Sequence, residues 1–212
     1  YTMGWLLTNL YPSRKPGGEP FERNGWHSRY EPVYVYDTVE IENERWYQIG
    51  IDKWVHQHNI AKVLPVEQPA DVTTERWISI DLYEQVAIAY ENDQPVFATL
   101  VASGLDQWPT REGTFNIYLR KTRSPMSGGI PGDDYYFLEE VPWTMYFDGD
   151  IALHGAYWHD GFGFRRSHGC VNLSITDSRW LYDWVAEVMG TEWSTDIEDG
   201  PAVYVYSSGE YD

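Results

Sequence analysis

The sequence predicts a mainly β protein with two units, a small β barrel followed by a β-sheet-rich domain that carries one main amphipathic helix. Three observations predict this organisation. Short stretches of alternating apolar and polar residues recur along most of the chain, which is the period of a half-buried strand. Prolines and polar residues interrupt the pattern at residues 63–77, and helical spacing begins only after residue 176. Residues 1–68 and 73–208 are therefore predicted to be the two domains.

The first unit alternates through Val33–Tyr36, turns near Glu42–Glu44 and resumes through Trp46–Ile51. Short strands without helical periodicity predict a small barrel. The stretch RWYQIGIDKWVHQHNIAKV, residues 45–63, resembles the closing hairpin of bacterial SH3-like domains. The resemblance implies a module that binds cell-wall peptide or one that only spaces and supports its neighbour.

The second unit alternates over Ile78–Tyr83, Gln85–Tyr90 and Val96–Ser103, with polar turns between these stretches. This pattern predicts a meander of antiparallel strands. Residues 109–120 add a glycine turn and a further strand, and residues 201–208 are predicted to be the closing strand.

A long loop and one helix complete the second unit. Residues 121–134 are rich in glycine and proline, which predicts a mobile loop that covers a site. Thr176 is predicted to cap the helix and Gly190 to end it. Between them, apolar residues recur at positions i, i+3, i+4 and i+7, namely Leu181, Trp184, Val185 and Val188.

The charge balance excludes one class of partner. The chain has 15 basic and 33 acidic residues and a net charge of −18, so it repels phosphate backbones and anionic lipid, and no nucleic acid partner is expected. No run approaches the roughly 18 apolar residues of a membrane span, so no integral membrane segment is predicted. The chain begins at Tyr1 without a secretory signal, and a targeting segment is therefore not visible.

Cys170, the only cysteine, lies in HGAYWHDGFGFRRSHGCVNLS, residues 154–174. An unperturbed thiol has a pKa of about 8.5 and is only slightly ionised at neutral pH, and a neighbouring imidazole increases its reactivity. Twelve residues separate His154 from Ser167. That length, with its glycines, allows the chain to turn and bring His154 opposite Cys170.

Three chemistries fit this cluster. The first is acyl transfer by a Cys–His pair, in which Gly169 lets backbone N–H groups approach an oxyanion. The second is zinc bound by four residues whose spacing matches no common zinc pattern, namely His154, His159, His168 and Cys170. The third is a buried thiol among core histidines. Papain-like proteases place the cysteine before the histidine within C-G-S-C-W, so the reversed order here disfavours a general cysteine peptidase.

The run S-H-G-C-V-N, Ser167–Asn172, preceded by His154 and Gly155, resembles the signature of the L,D-transpeptidase catalytic domain, also called the YkuD-type domain. Residues 77–90 and the stretch P-T-R-E-G-T-F, residues 109–115, are similar to the early strands of that family and to its P-T-P-x-G-x-F turn. In this chain an arginine replaces the second proline of that turn. The resemblance spans about residues 75–206.

The resemblance implies roles for individual residues. Cys170 is the nucleophile, His154 the general base, and the carbonyl of Gly155 orients His154. His168 and the backbone around Gly169 and Cys170 form the oxyanion and substrate-binding shell.

Four further residues are candidates for the substrate-binding region. Ser167 and Asn172 are expected to hold the loop by hydrogen bonds, with contact to the peptide as a further role. Tyr146 and Trp158 are candidate substrate walls, with simple packing as the alternative. No metal and no organic cofactor are expected, because a thiol, a base and backbone donors suffice for acyl transfer.

The family resemblance also implies a function in cell wall biogenesis and cell shape, outside the cytoplasm. The enzyme attacks the third residue of a peptidoglycan stem tetrapeptide, releases the terminal D-alanine, and passes the thioester on Cys170 to an amine of a second stem. The product joins the third residues of two stems, and carbapenems are expected to acylate the same thiol. Two alternatives stay open: an L,D-carboxypeptidase that trims tetrapeptides, and a wall-binding protein without catalysis.

Overall fold

The structure is a computed structural model that describes residues 1–129, 132, 135–189 and 200–209. The chain divides into two compact units, Tyr1–Leu64 and Pro65–Asp212. Among the described residues, no helix has the length and apolar character needed to span a membrane.

The first unit consists of six strands and two 3-10 turns, Glu22–Asn24 and Gln57–Asn59. The strands are β1 (Thr2–Leu6), β2 (Pro32–Val35), β3 (Asp37–Ile41), β4 (Glu44–Gly50), β5 (Lys53–His56) and β6 (Ile60–Lys62). Glu42 and Asn43 both have positive φ, as a two-residue hairpin turn requires, so the predicted turn lies between β3 and β4.

The strands of the first unit pair into two antiparallel sheets, β2-β1-β6 and β3-β4-β5. Their inner faces share one core of six buried side chains, Leu6, Val33, Val35, Tyr47, Val55 and Ile60. The Tyr36 N–H donates to the Gln48 carbonyl at 2.8 Å where β2 ends. The ladders do not close into a barrel, and the SH3-like assignment stays a prediction.

The second unit is built from two sheets and one helix. Its strands are β7 (Arg76–Asp81), β8 (Val86–Glu91), β9 (Gln94–Leu100), β10 (Gly113–Asn116), β11 (Leu119–Gly128), β12 (Tyr136–Asp148), β13 (Ile151–Gly155), β14 (Val171–Leu173) and β15 (Ala202–Tyr206). The helix α1 spans Ile175–Met189. Mainly β architecture with one main helix is thus confirmed for the described residues.

The sheet order explains where the core lies. One sheet has the order β10-β15-β7-β8-β9 and contains the predicted antiparallel meander, and the other has the order β11-β12-β13-β14. Apolar side chains of both sheets and of α1 share a single buried cluster, which includes Ile78, Leu153, Val171 and Leu181. The helix packs against β12 and β13. β13 in turn pairs with β14, which begins directly after Cys170.

The helix begins earlier than the sequence predicted. The Asp177 N–H donates to the Ser174 hydroxyl at 3.1 Å, so Ser174 caps α1 and Thr176 already belongs to its first turn. Val188 is 52% exposed, whereas Met189 packs against the core. The predicted end at Gly190 lies outside the described residues.

The predicted loop at residues 121–134 is wrong over its first part. Residues 121–128 belong to β11, which pairs with β12. Pro125 lies at a shift of the register between Ser124 and Met126, on a strand at the edge of its sheet. A bulge on an edge strand tolerates proline because no ladder hydrogen bond requires its missing N–H. Residues 130, 131, 133 and 134 lie outside the described residues.

Candidate active site

A tight turn presents the thiol at the start of β14. The Gly169 N–H donates to the Ser167 hydroxyl at 3.1 Å, and that hydroxyl donates to the Cys170 carbonyl. Gly169 has φ +115°, a conformation that side chains rarely adopt. The glycine and the serine of the S-H-G-C run therefore shape the turn on which Cys170 lies, and Ser167 has the loop-holding bonds that the sequence predicted.

A distant segment holds the same turn. The Thr110 hydroxyl donates to the Gly169 carbonyl at 2.7 Å and accepts from the Gly104 N–H at 2.9 Å. A Cβ on Gly104 would lie 2.2 Å from the Trp108 carbonyl oxygen, so this approach requires glycine. Thr110 is buried and belongs to the P-T-R-E-G-T-F stretch. The P-T-R-E-G-T-F stretch thus directly supports the turn at Ser167–Cys170.

The register of β13 and β14 brings the predicted base to the thiol. These strands are parallel, with Leu153 opposite Val171 and His154 opposite Asn172. Leu153 and Val171 point into the core. Because side chains alternate across a strand, His154, Asn172 and Cys170 share the opposite face. The segment between His154 and Ser167 therefore lies within residues 156–170, which connect β13 to its parallel neighbour β14, apart from Gly155 at the end of β13.

His154 is buried, and its orientation is set by the neighbouring residue. Its Nδ1 lies 3.2 Å from the Gly155 carbonyl oxygen, which can only accept, so Nδ1 carries the proton and Nε2 is the free base. Burial lowers the pKa of His154 to about 4, although the Gly155 hydrogen bond acts in the opposite direction and His159 lowers it further. The imidazole is therefore neutral at pH 7.

The Cys170 thiol is protonated in the same resting state. Burial raises its pKa to about 11, a backbone hydrogen bond at Ala152 opposes that shift, and the charge of Asp150 adds to it. The Sγ lies 3.9 Å from the Asp150 carbonyl oxygen. The pair is thus a neutral thiol beside a neutral imidazole. A reaction at this site would therefore start from the thiol rather than from a preformed thiolate.

His168 lies between two aromatic rings. Its ring is tilted against that of Trp108 at 4.1 Å and against that of Tyr136 at 5.0 Å, centroid to centroid. These contacts hold the imidazole of His168 at the wall of the site.

A cavity of about 210 Å³ opens in front of the thiol. It is lined by Met126, Tyr136, Leu138, His154, Trp158, Arg166, Ser167, His168, Cys170 and Asn172. Six of the residues predicted for the site are in this set. Tyr146 is not, and its hydroxyl lies 3.0 Å from that of Ser124 instead. Trp158 borders His154, with 5.7 Å between ring centroids.

The comparison with known families agrees with this geometry. The family model of the YkuD L,D-transpeptidase catalytic domain matches residues 75–205. The chain belongs to this family. YciB of Bacillus subtilis (strain 168), provisionally named an L,D-transpeptidase, is 28% identical to this chain over 124 residues, which are 52% of this chain and 61% of YciB.

Solved L,D-transpeptidases share the fold of this member of the family. The Mycobacterium smegmatis L,D-transpeptidase has a TM-score of 0.54 and 20% identity, covering 86% of this chain and 72% of that one. The Enterococcus faecium catalytic domain has a TM-score of 0.51 and 23% identity, and the match covers 63% of this chain and 99% of that domain. LdtMt1, solved in complex with imipenem, has a TM-score of 0.53 and 18% identity, and the match covers 62% of this chain and 59% of LdtMt1.

Sequence reasoning missed one wall of the L,D-transpeptidase cavity. Met126 comes from β11, and Tyr136 and Leu138 come from β12. Burial raises the pKa of Tyr136, and Cys170 and then Tyr146 raise it further. The alternation of Tyr136 and Leu138 would have predicted a strand face at this position. The Gly/Pro-rich composition that precedes it favoured a loop instead.

The zinc alternative has no geometric support in this L,D-transpeptidase domain. Within the described ranges, which include all four residues of that alternative, no group of three or more His, Cys, Asp or Glu side chains is placed to hold a metal ion.

Proposed function

We propose that this chain is a peptidoglycan L,D-transpeptidase that acts through a thioester on Cys170. The observation that carries the proposal is the shared face of β13 and β14, where the unprotonated Nε2 of His154 and the Cys170 thiol border one cavity. A partly exposed thiol and a buried neutral base are sufficient for acyl transfer.

In the first half-reaction, His154 Nε2 takes the thiol proton as Sγ attacks the carbonyl of the third stem residue. Collapse of the tetrahedral intermediate breaks the bond to the terminal D-alanine, whose amine leaves with the proton held by His154. The Gly169 N–H already donates to Ser167, which leaves the Cys170 N–H as the proposed oxyanion donor of this turn. The Gly155 carbonyl stabilises the imidazolium that forms transiently.

In the second half-reaction, an amine of another stem attacks the thioester and gives its proton to His154, which returns it to the departing Sγ. Atoms and charges balance without a metal or an organic cofactor. The product is a peptide bond between the third residues of two stems.

The setting of this reaction is proposed to be extracytoplasmic, where peptidoglycan lies. Residues 1–68 are proposed to be an SH3-like module that binds the wall or spaces the catalytic domain from it, with residues 73–208 as that domain. The net charge of −18 disfavours a nucleic acid partner. The imipenem named in the solved LdtMt1 complex supports the use of a carbapenem as a covalent probe.

Mass spectrometry after incubation with a disaccharide tetrapeptide tests the function. A crosslinked dimer that requires Cys170 supports transpeptidation, with Cys170→Ala as the matched control. Trimmed tripeptide alone would instead make the protein an L,D-carboxypeptidase. Unchanged substrate would leave a wall-binding protein without catalysis.

A further inference from the structure

Arg111 stands where the P-T-P-x-G-x-F turn has its second proline, and it makes a contact that proline cannot make. Its Nε donates to Oδ2 of Asp148 at 2.9 Å, and its Nη2 donates to Oδ1 of the same carboxylate. The side chain of Asp148 is 8% exposed, whereas that of Arg111 is 68% exposed. A carboxylate that is buried and held by both oxygens forms a more directional link than an ordinary surface ion pair.

Asp148 lies where β12 turns into β13. It is the last residue of β12 and pairs with Ile151, the first residue of β13. The two residues between them complete the connection, in which Gly149 has φ +54°. The Tyr118 hydroxyl donates to the Gly149 carbonyl. Arg111 and Tyr118 thus anchor residues 148–151, which form the β12–β13 turn.

The β12–β13 turn touches the thiol. The Sγ of Cys170 lies 3.9 Å from the Asp150 carbonyl oxygen. Burial raises the pKa of Cys170, and a hydrogen bond from the backbone of Ala152 opposes that shift. A bond that favours the thiolate comes from a donor, which on a backbone is the N–H. A Cβ on Gly169 would lie 2.6 Å from Cδ1 of Ile151, so the turn also packs against the glycine that precedes the thiol.

Two neighbouring residues hold the two turns that meet at the thiol. Thr110 donates to the Gly169 carbonyl at 2.7 Å and so holds the turn at Ser167–Cys170. Arg111 donates to the Asp148 carboxylate and so holds the β12–β13 turn. Because Thr110 and Arg111 are adjacent in the chain, one short segment fixes both turns relative to each other.

We propose that Arg111 is a positioning residue for the acylation of Cys170. Through Asp148 it holds the β12–β13 turn so that the Ala152 N–H faces the sulfur while negative charge develops there. A donor that is already in place needs no rearrangement at the moment of attack. The acylation step rests on the proposed function, whereas the effect of Arg111 on the sulfur itself does not.

A purely electrostatic role of Arg111 predicts a different pattern of variants. Arg111→Lys keeps the positive charge but lacks the two-point grip of a guanidinium. Asp148→Asn keeps one acceptor oxygen for Arg111 and removes a negative charge from the turn. If only charge mattered, Arg111→Lys would react like the parent and Asp148→Asn would react faster. Positioning predicts that both variants react more slowly than the parent.

Alkylation by iodoacetamide measures the effect on the sulfur in the absence of the base. In the full-length His154→Ala protein only the thiolate reacts, so the rate at a fixed pH follows the thiolate fraction. We expect Arg111→Gln in this background to lower the rate about fivefold, which is the worth of one hydrogen bond. The rate of Arg111→Lys should fall between the two.

Other ionisable groups near the sulfur are the same in the parent and in the Arg111 variants. Burial and then the charge of Asp150 raise the pKa of Cys170, and burial and then Cys170 raise the pKa of Tyr136. Burial and then Asp150 raise the pKa of Tyr118. None of these residues is altered, so a change in the alkylation rate reports the loss of Arg111.

An arginine of an exposed ion pair on α1 provides the matched control. Arg179 Nε lies 3.6 Å from an oxygen of Asp183, and both side chains are exposed. Arg179→Gln removes the same charge from the chain and should leave the alkylation rate unchanged.

Reaction with imipenem tests the acylation step in proteins that keep His154. Neither Arg111 nor Asp148 lines the cavity. Arg111→Gln should therefore lower the limiting rate of acylation about fivefold and leave the half-saturating imipenem concentration unchanged. Thermal melting shows whether each variant is folded at the assay temperature. If Arg111→Gln is unfolded there, Arg111→Lys and Asp148→Asn decide the outcome.

The outcomes for Arg111 and for the proposed function are distinct. Equal alkylation rates of His154→Ala with and without Arg111→Gln would overturn the positioning role and leave the function intact. A parental rate in Arg111→Lys together with a faster rate in Asp148→Asn would make charge the cause and overturn positioning as well. A parent that imipenem does not acylate would overturn the proposed function, and the alkylation rates would still decide the role of Arg111.

Discussion

His154 and Asn172 are register partners on adjacent parallel strands, so their side chains lie next to each other on the sheet face that carries Cys170. The other face of the same strands is packed into the core. An imidazole and an amide are thereby held on the same face as the thiol by backbone ladders. This rigidity is what acyl transfer needs from its scaffold.

Imipenem is expected to acylate the parent once, which raises the intact mass by one drug molecule. Cys170→Ala should show no increase and should unfold within a few degrees of the parent, because the partly exposed thiol contributes little packing. Intact-protein mass spectrometry and thermal melting check both statements. An adduct on Cys170→Ala would contradict the assignment of the nucleophile.

Loss of His154 is expected to change how alkylation of Cys170 by iodoacetamide depends on pH. In the parent, neutral His154 accepts the thiol proton during attack, so the rate varies little around pH 7. In His154→Ala only the thiolate reacts, and since burial raises the thiol pKa to about 11, the rate should rise about tenfold per pH unit. Identical steep profiles in both proteins would argue against His154 as the base.

His168→Ala is expected to behave differently from His154→Ala. His168 contacts the rings of Trp108 and Tyr136 at the wall of the cavity. It is proposed to shape the surroundings of a tetrahedral intermediate. Displacement at an alkyl halide forms no such intermediate. His168→Ala should therefore be alkylated at nearly the parental rate and react with imipenem about tenfold more slowly. Slow alkylation of His168→Ala together with normal alkylation of His154→Ala would mean that His168, and not His154, is the base.

Acid is expected to destabilise the parent more than His154→Gln. The pKa of His154 is about 4 in the folded protein and about 6.5 when unfolded, so the unfolded state binds more protons between these values. The free energy of unfolding therefore falls as the pH drops from 6.5 to 4, by about 3 kcal/mol from this group. Urea unfolding at several pH values measures the difference. An equal fall in the free energy of unfolding in both proteins would mean that folding does not lower the pKa of His154.

Thr110→Val is expected to weaken both stability and acylation. The substitution keeps the shape of the side chain but leaves the Gly169 carbonyl and the Gly104 N–H without their partner. Losing partners of buried backbone groups costs about 1–3 kcal/mol. Thr110→Ser, which keeps the hydroxyl, is the control for thermal unfolding and imipenem reaction rates. Unchanged acylation in Thr110→Val would show that the turn holds its shape without this bond.

Local sequence was sufficient for the hydrogen bonds around the thiol. Ser167 was expected to hold the loop by hydrogen bonds, and its bonds to Gly169 and Cys170 span only two or three residues. The strands of the β7–β9 meander were predicted for a similar reason, since their alternation records burial residue by residue. The loop predicted at residues 121–134 was wrong over residues 121–128 because composition cannot show that Pro125 lies at an edge-strand bulge.

The sequence by itself determined which residues are able to react, since a thiol, an imidazole and a flexible glycine have their chemistry wherever they lie. Only the tertiary structure decided their protonation states and the contacts that hold them. Burial holds the thiol and His154 neutral, and Thr110 reaches Gly169 across 59 residues of chain. The Tyr136 wall of the cavity depends equally on packing. Desolvation and long-range contacts arise from the folded surroundings of a residue, and no local pattern encodes them.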